Sequence, residues 1–146
     1  MTTVSIASYN TFNESAKLKN ETQKFMTTLS LAQKRAVSGD VGLGCVNCSL
    51  NSFTVSWAVA TQTYSVVGSR VNGGNPAEPF DQITYSFDSV NKNVTLLSTA
   101  SVIFSPLTGA PDSAKTVRFK NVTTDECTQV DLAASGLMSS ASITCP

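Results

Sequence analysis

No histidine occurs anywhere in the 146-residue sequence. That removes the commonest general base, the commonest zinc ligand and the usual switch near neutral pH. An ordinary serine or cysteine triad is excluded with it. Charged residues are scarce, at 14%, and ten basic residues balance ten acidic ones. No global field therefore draws the chain to nucleic acid or to an acidic membrane. No apolar run reaches the roughly 18–20 residues that cross a bilayer. No basic segment followed by an apolar one opens the chain as a secretory signal would, so an exported protein is expected here in mature or trimmed form.

Proline and glycine are also missing from the first 38 residues. This stretch reads as one long amphipathic helix. Ile6, Tyr9, Phe12 and Ala16 recur at intervals of three and four, and Phe25, Leu29, Ala32 and Ala36 continue the rhythm, flanked by Leu18, Met26 and Val37. That is the period of a helix buried along one face. Glu14, Lys17, Glu21, Lys24, Lys34 and Arg35 are expected on the solvated face. Ser38-Gly39-Asp40 ends the helix, with glycine where a left-handed cap belongs. At 1.5 Å per residue such a helix is about 55 Å long, more than the diameter of a domain this size. Leu18, Phe25, Leu29, Ala32 and Ala36 are expected to pack on the rest of the chain. Ile6, Tyr9 and Phe12 are expected to project and to need a partner outside it.

After Gly39 the texture changes. Val41–Cys48 reads as a loop. Asn51–Ala60 alternates through Phe53, Val55, Trp57 and Val59, and Thr63–Val67 follows. Asn72-Gly73-Gly74-Asn75-Pro76 is a turn, and Glu78–Gln82 an irregular connection. Further strands are expected through Ile83, Tyr85 and Phe87, through Val94, Leu96 and Leu97 after Asn91-Lys92-Asn93, and over Ser101–Phe104, Thr116–Asn121, Asp125–Leu132 and Ser140–Cys145. Short strands at such spacing suggest antiparallel sheets packed face to face. The fold class is α+β: a helical stalk over residues 1–38 and a β domain over 39–146.

Cys45, Cys48, Cys127 and Cys145 fit an oxidising compartment. Four cysteines allow three pairings. Cys45 with Cys48 would close a tight loop, leaving Cys127 and Cys145 to tie the last strand back to an earlier one. A four-thiolate zinc site is the rival, weakened by the presence of a single C-x-x-C. No cofactor or metal is expected, although oxygen ligands at Asp125, Glu126 and Asp131 leave calcium open. The acids form no close pair but Asp125-Glu126, and Gly42-Leu43-Gly44 and Asn72-Gly73-Gly74 match no phosphate-binding pattern. An enzyme is not expected. Lys34-Arg35 and the Arg118, Lys120 pair are too thin for a nucleic-acid surface. Sequons at Asn13, Asn20, Asn47, Asn93 and Asn121 do not establish glycosylation in a chain this rich in Ser and Thr.

Three stretches resemble the type IV pilin-like superfamily, in its GspH/FimT-type minor pilin and pseudopilin branch. Leu31-Ala32-Gln33-Lys34-Arg35-Ala36-Val37-Ser38-Gly39 looks like the family's helix-to-domain junction. Ile103-Phe104-Ser105-Pro106-Leu107-Thr108-Gly109 looks like its turn, carried by Phe104, Pro106 and Gly109. Ala134-Ser135-Gly136-Leu137, around Gly136, looks like its C-terminal hairpin. The resemblance implies a long helix packed on antiparallel sheets and a structural subunit of a pilus or type II secretion pseudopilus. It would assemble with other pilin or pseudopilin subunits through its helix. A precursor would be anchored in the inner membrane by an apolar half-helix absent from this sequence, and the filament would be extracellular or periplasmic. The alternative is a surface binding module, an adhesin or a DNA-uptake minor pilin. Where DNA-binding members carry arginines beside the C-terminal glycine, this chain has Leu137, Met138 and Ser139.

Overall fold

The structure, a computed structural model, describes residues 3–87 and 93–146, with side chains from Tyr9 onward. Ile6 is within the helix, but its side chain lies outside the described residues, as does most of the Asn91-Lys92-Asn93 turn. One helix, α1 (Thr3–Ser38), precedes eight strands: β1 (Cys48–Ala58), β2 (Thr63–Asn72), β3 (Glu78–Ser86), β4 (Val94–Leu96), β5 (Ala100–Phe104), β6 (Lys115–Asn121), β7 (Glu126–Leu132) and β8 (Met138–Ile143). They form two antiparallel four-stranded sheets, ordered β3-β2-β1-β5 and β4-β6-β7-β8. The class is α+β, with α1 packed on both sheets.

The two sheets and the helix share one core. Each turns its apolar side to the helix, which contacts β1 and β5 of one sheet and β4, β6 and β7 of the other. Phe25 shows why. Its ring meets Trp57 and Tyr64 of the first sheet at 5.5 and 5.3 Å and Phe119 of the second at 5.3 Å. Leu18, Phe25, Leu29, Ala32 and Ala36 are all buried in this core. Alanine at the last two positions lets the helix lie close to the sheets, where a longer side chain would hold it off.

Several expectations need correction. Glu78–Gln82 is strand, because Phe80 is buried and fills the space beside Gly68. The irregularity read there survives as a break in register opposite Val66 and Gly68, with Asp81 at φ 49°. Val59 does not join the buried row. β1 ends at Ala58, and a turn closed by Gln62 N–H on the Val59 carbonyl leaves Val59 exposed. Ile83 and Tyr85 face the core side of β3 yet stay exposed, since that edge strand overhangs the helix. Leu97 lies past the end of β4 and is exposed. The last strand begins at Met138 and stops at Ile143. The solvated face assigned to α1 is also incomplete: Glu21, Thr22 and Thr28 are buried, whereas Leu31 and Val37 are exposed.

Candidate assembly surface and the helix junction

The disposition of α1 is set by two clamps. The first is at Glu14. Asn121, itself fully buried, donates Nδ2–H to the Glu14 carbonyl (2.9 Å) and to Glu14 Oε2 (3.1 Å). Asn93 donates to Oε2 at 2.9 Å, and Lys17 pairs with Oε1 at 2.5 Å. Hydrogen bonds from Lys17, Asn93 and Asn121 hold the Glu14 carboxyl well below its ordinary range, at about 2. One residue on, Ser15 Oγ donates to Glu126 at 2.6 Å. Glu14 is therefore an anchor and not part of a solvated face.

The second clamp is at the other end. Gly39 N–H bonds the Ala36 carbonyl and Asp40 N–H the Arg35 carbonyl, closing the helix in a Schellman arrangement with Gly39 at φ 67°. The Arg35 guanidinium lies 4.7 Å above the Phe53 ring and reaches Asp40 and Asp81, both at 2.6 Å. Burial disfavours the Arg35 cation, but the hydrogen bonds to Asp81 and Asp40 outweigh it and raise its pKa. Asp40 is held low, chiefly by the Gly42 N–H and then by Arg35.

Phe104, Pro106, Gly109 and Gly136 converge on this lower end of the helix. Phe104 is buried, and the turn after it donates Leu107 N–H to the Ala36 carbonyl at 2.9 Å. Gly109 (φ 62°) presses so close that an added Cβ would sit 2.5 Å from Val37 and 3.1 Å from Gln33. At Gly136 (φ 85°) it would sit 2.3 Å from Gln33 Nε2. Two turns far apart in sequence thus share one helical side chain, Gln33. The disulfides join Cys45, just before β1, to Cys48 at its first residue, and Cys127 of β7 to Cys145 just after β8.

Asp125, Glu126 and Asp131 do not converge on an ion. Asp125 pairs with Lys120, Glu126 accepts from Ser15 and Thr124, and Asp131 accepts from Thr116 and Gln129. No group of three or more metal-binding side chains occurs among the described residues.

Ahead of Glu14, α1 leaves the sheets. Residues 9–13 are exposed, Tyr9 by 71% and Phe12 by 74%. These aromatics do not continue the lower stripe. At about 100° per residue, Tyr9 and Phe12 fall roughly 120–180° around the helix from the row through Leu18, Thr22, Phe25, Leu29, Ala32 and Ala36. The helix has a face for its own sheets and a second, aromatic face near its start. The rhythm of threes and fours runs through both and conceals the change. The sequence reading also missed the Glu14 clamp. No local signal links Glu14 to Asn121, 107 positions away.

The family described as type II transport protein GspH matches residues 21–136. That span runs from the buried turn of α1 through both sheets to Gly136. The chain belongs to the GspH family. Neither a curated protein nor a solved structure matches it. GspH proteins are structural pseudopilins, which places this chain among type II secretion components. The Arg35 junction, the Phe104–Gly109 turn and Gly136 lie within the matched residues; Tyr9 and Phe12 lie outside them. No helix among the described residues is long and apolar enough to cross a membrane.

Proposed function

We propose that this GspH-family chain is a structural subunit of a type II secretion pseudopilus and assembles through the first turns of α1. The observation that carries the reading is the exposure of Tyr9 and Phe12 ahead of the Glu14 clamp, on the side of the helix turned away from its sheets. Burying an aromatic side chain against a neighbour contributes roughly 1.5–3 kcal/mol. The natural partners for such a face are the helices of adjacent pilin or pseudopilin subunits. In this reading an apolar continuation of the helix anchors the precursor in the inner membrane. The sheets then lie in the periplasm, where two disulfides suit an oxidising compartment.

The test is the double substitution Tyr9→Ala/Phe12→Ala in the full-length form. Both side chains are exposed, so stability should change by no more than about 0.5 kcal/mol per site. Crosslinking of the subunit into pseudopili, and secretion with it, should be lost. Undiminished assembly of the folded variant would refute the proposal. If retention on DNA or on a surface ligand were lost instead, the binding-module alternative would take its place.

A further inference from the structure

The sheets have four edges: β3, β5, β4 and β8. Three carry a device against further pairing. β3 has Pro79 and the left-handed Asp81 at a break in register. β5 is closed by the following loop: Ile103 N–H bonds Asp112 Oδ1, Asp112 N–H bonds the Ile103 carbonyl, and Phe104 bridges to Pro111. β4 is only three residues long.

β8 has none of these. Its six residues, Met138-Ser139-Ser140-Ala141-Ser142-Ile143, include no charge, no proline and no positive φ, and they pair with β7 without a break. The hairpin fixes which backbone groups are free. Ala133 N–H bonds the Leu137 carbonyl, so by alternation Ser139, Ala141 and Ile143 bond β7, while Met138, Ser140 and Ser142 point their N–H and C=O groups outward. No hydrogen bond reaches these outward groups among the described residues.

Space lies beside this edge. Ser140 and Ser142 stand opposite Val130 and Thr128, hence on the core side, yet both are exposed because the helix does not extend over them. Between them and α1 runs an open groove of about 680 Å³, with Ser15 and Lys19 on its helical wall. Glu126 at its end is engaged by Ser15 and Thr124. Lys19 is exposed and has no ion-pair partner among the described residues.

The geometry points to β8 as an acceptor edge for an extended segment of a partner chain. The segment adds as a fifth strand to the β4-β6-β7-β8 sheet, sets alternate side chains into the groove, and places an acidic one beside Lys19. Water can satisfy such a row group by group, but an added strand is the protein partner whose N–H and C=O spacing matches it. This interaction is separate from the aromatic face of α1 and stands or falls without it.

The test selects short random peptides displayed on phage against the intact protein. Enriched peptides should alternate β-forming residues with an acidic one, and a bound peptide should protect the Ser140 and Ser142 amides from exchange. Ser140→Pro removes a donor that points away from β7, so the hairpin should tolerate it. Binding should weaken about tenfold, which corresponds to ~1.4 kcal/mol. Ser140→Lys, an edge charge, is the second blocking variant should the proline disturb the fold. Lys19→Glu should turn the preference from acidic to basic peptides. The proposal is overturned if no peptide is enriched over the blocked variants, if protection falls on another edge, or if Lys19→Glu leaves the preference unmoved.

Discussion

Phe25→Ala should be the most damaging single truncation in α1, because one ring joins the helix to both sheets. The side chain is fully buried and packs edge-on against Trp57, Tyr64 and Phe119. Removing a buried phenylalanine costs about 3–5 kcal/mol, and the simultaneous removal of its packing against three other rings argues for the upper part of that range. Against a total stability of roughly 5–15 kcal/mol this is a large fraction. For a chain of this length it corresponds to a fall in Tm of about 10 °C. Urea unfolding followed by tryptophan fluorescence is a direct assay, since Trp57 is the single tryptophan, 5.5 Å from Phe25. If the strands held together without the helix, the Trp57 transition would hardly move. A loss below about 1 kcal/mol would therefore refute the view that α1 is the common core of the two sheets.

Gly136→Ala should destabilise by about 1–3 kcal/mol because φ is 85°, whereas the Gln33 amide it meets is the tip of a flexible side chain that can swing aside. Gln33→Ala in the same chain should restore little of the loss, since the backbone strain stays, as chemical denaturation would show. Glu14 has its folded pKa lowered to about 2 from 4.5. Its stabilising contribution is thus present above the unfolded value and is lost as pH falls from about 4.5 toward 2. Wild type should lose stability across that window more steeply than Glu14→Gln when Tm is followed against pH. Removing the Cys127–Cys145 bridge by paired serine substitution should cost about 3 kcal/mol and removing Cys45–Cys48 about 2, since the first closes the longer loop. An equal or reversed order in urea titrations would contradict that ranking.

The long helix, its stop at Gly39 and most of the strands were legible because their signals are local. Alternation through Phe53, Val55 and Trp57 and the turn at Asn72–Asn75 need no knowledge of the rest of the chain. What escaped depends on what each side chain meets. Glu21 and Arg35 carry charges that pattern alone assigns to solvent, yet one is buried and the other lies over Phe53 between two aspartates. Phe80 sits in a segment whose proline and acids suggest a loop, and packing beside Gly68 makes it strand. Leu18, Phe25, Leu29, Ala32 and Ala36 follow the helical period and are buried. Gly109 and Gly136 were singled out by resemblance, and only the structure shows that both sit at positive φ in turns that lie against the helix at Gln33.

Tyr9 and Phe12 share the apolar character of Phe25 and Leu29 but not their direction, and that difference bears on how the helix becomes ordered. Residues 9–13, Tyr-Asn-Thr-Phe-Asn, are weak helix formers and bury nothing against their own sheets. A helix end of this kind is marginal by itself, since packing and not propensity supplies most helical stability. Fixing it at Glu14 aims the turns that precede the clamp. A neighbour that covers Tyr9 and Phe12 would then contribute burial energy and stabilise the helical backbone in one event. Under the proposed assembly, contact and ordering are therefore coupled. Amide protection over residues 9–13 should be low in the isolated subunit and should rise on incorporation, while protection around Phe25 stays unchanged. Strong protection of residues 9–13 in the free subunit would mean that the helix end is stabilised by something other than a neighbour.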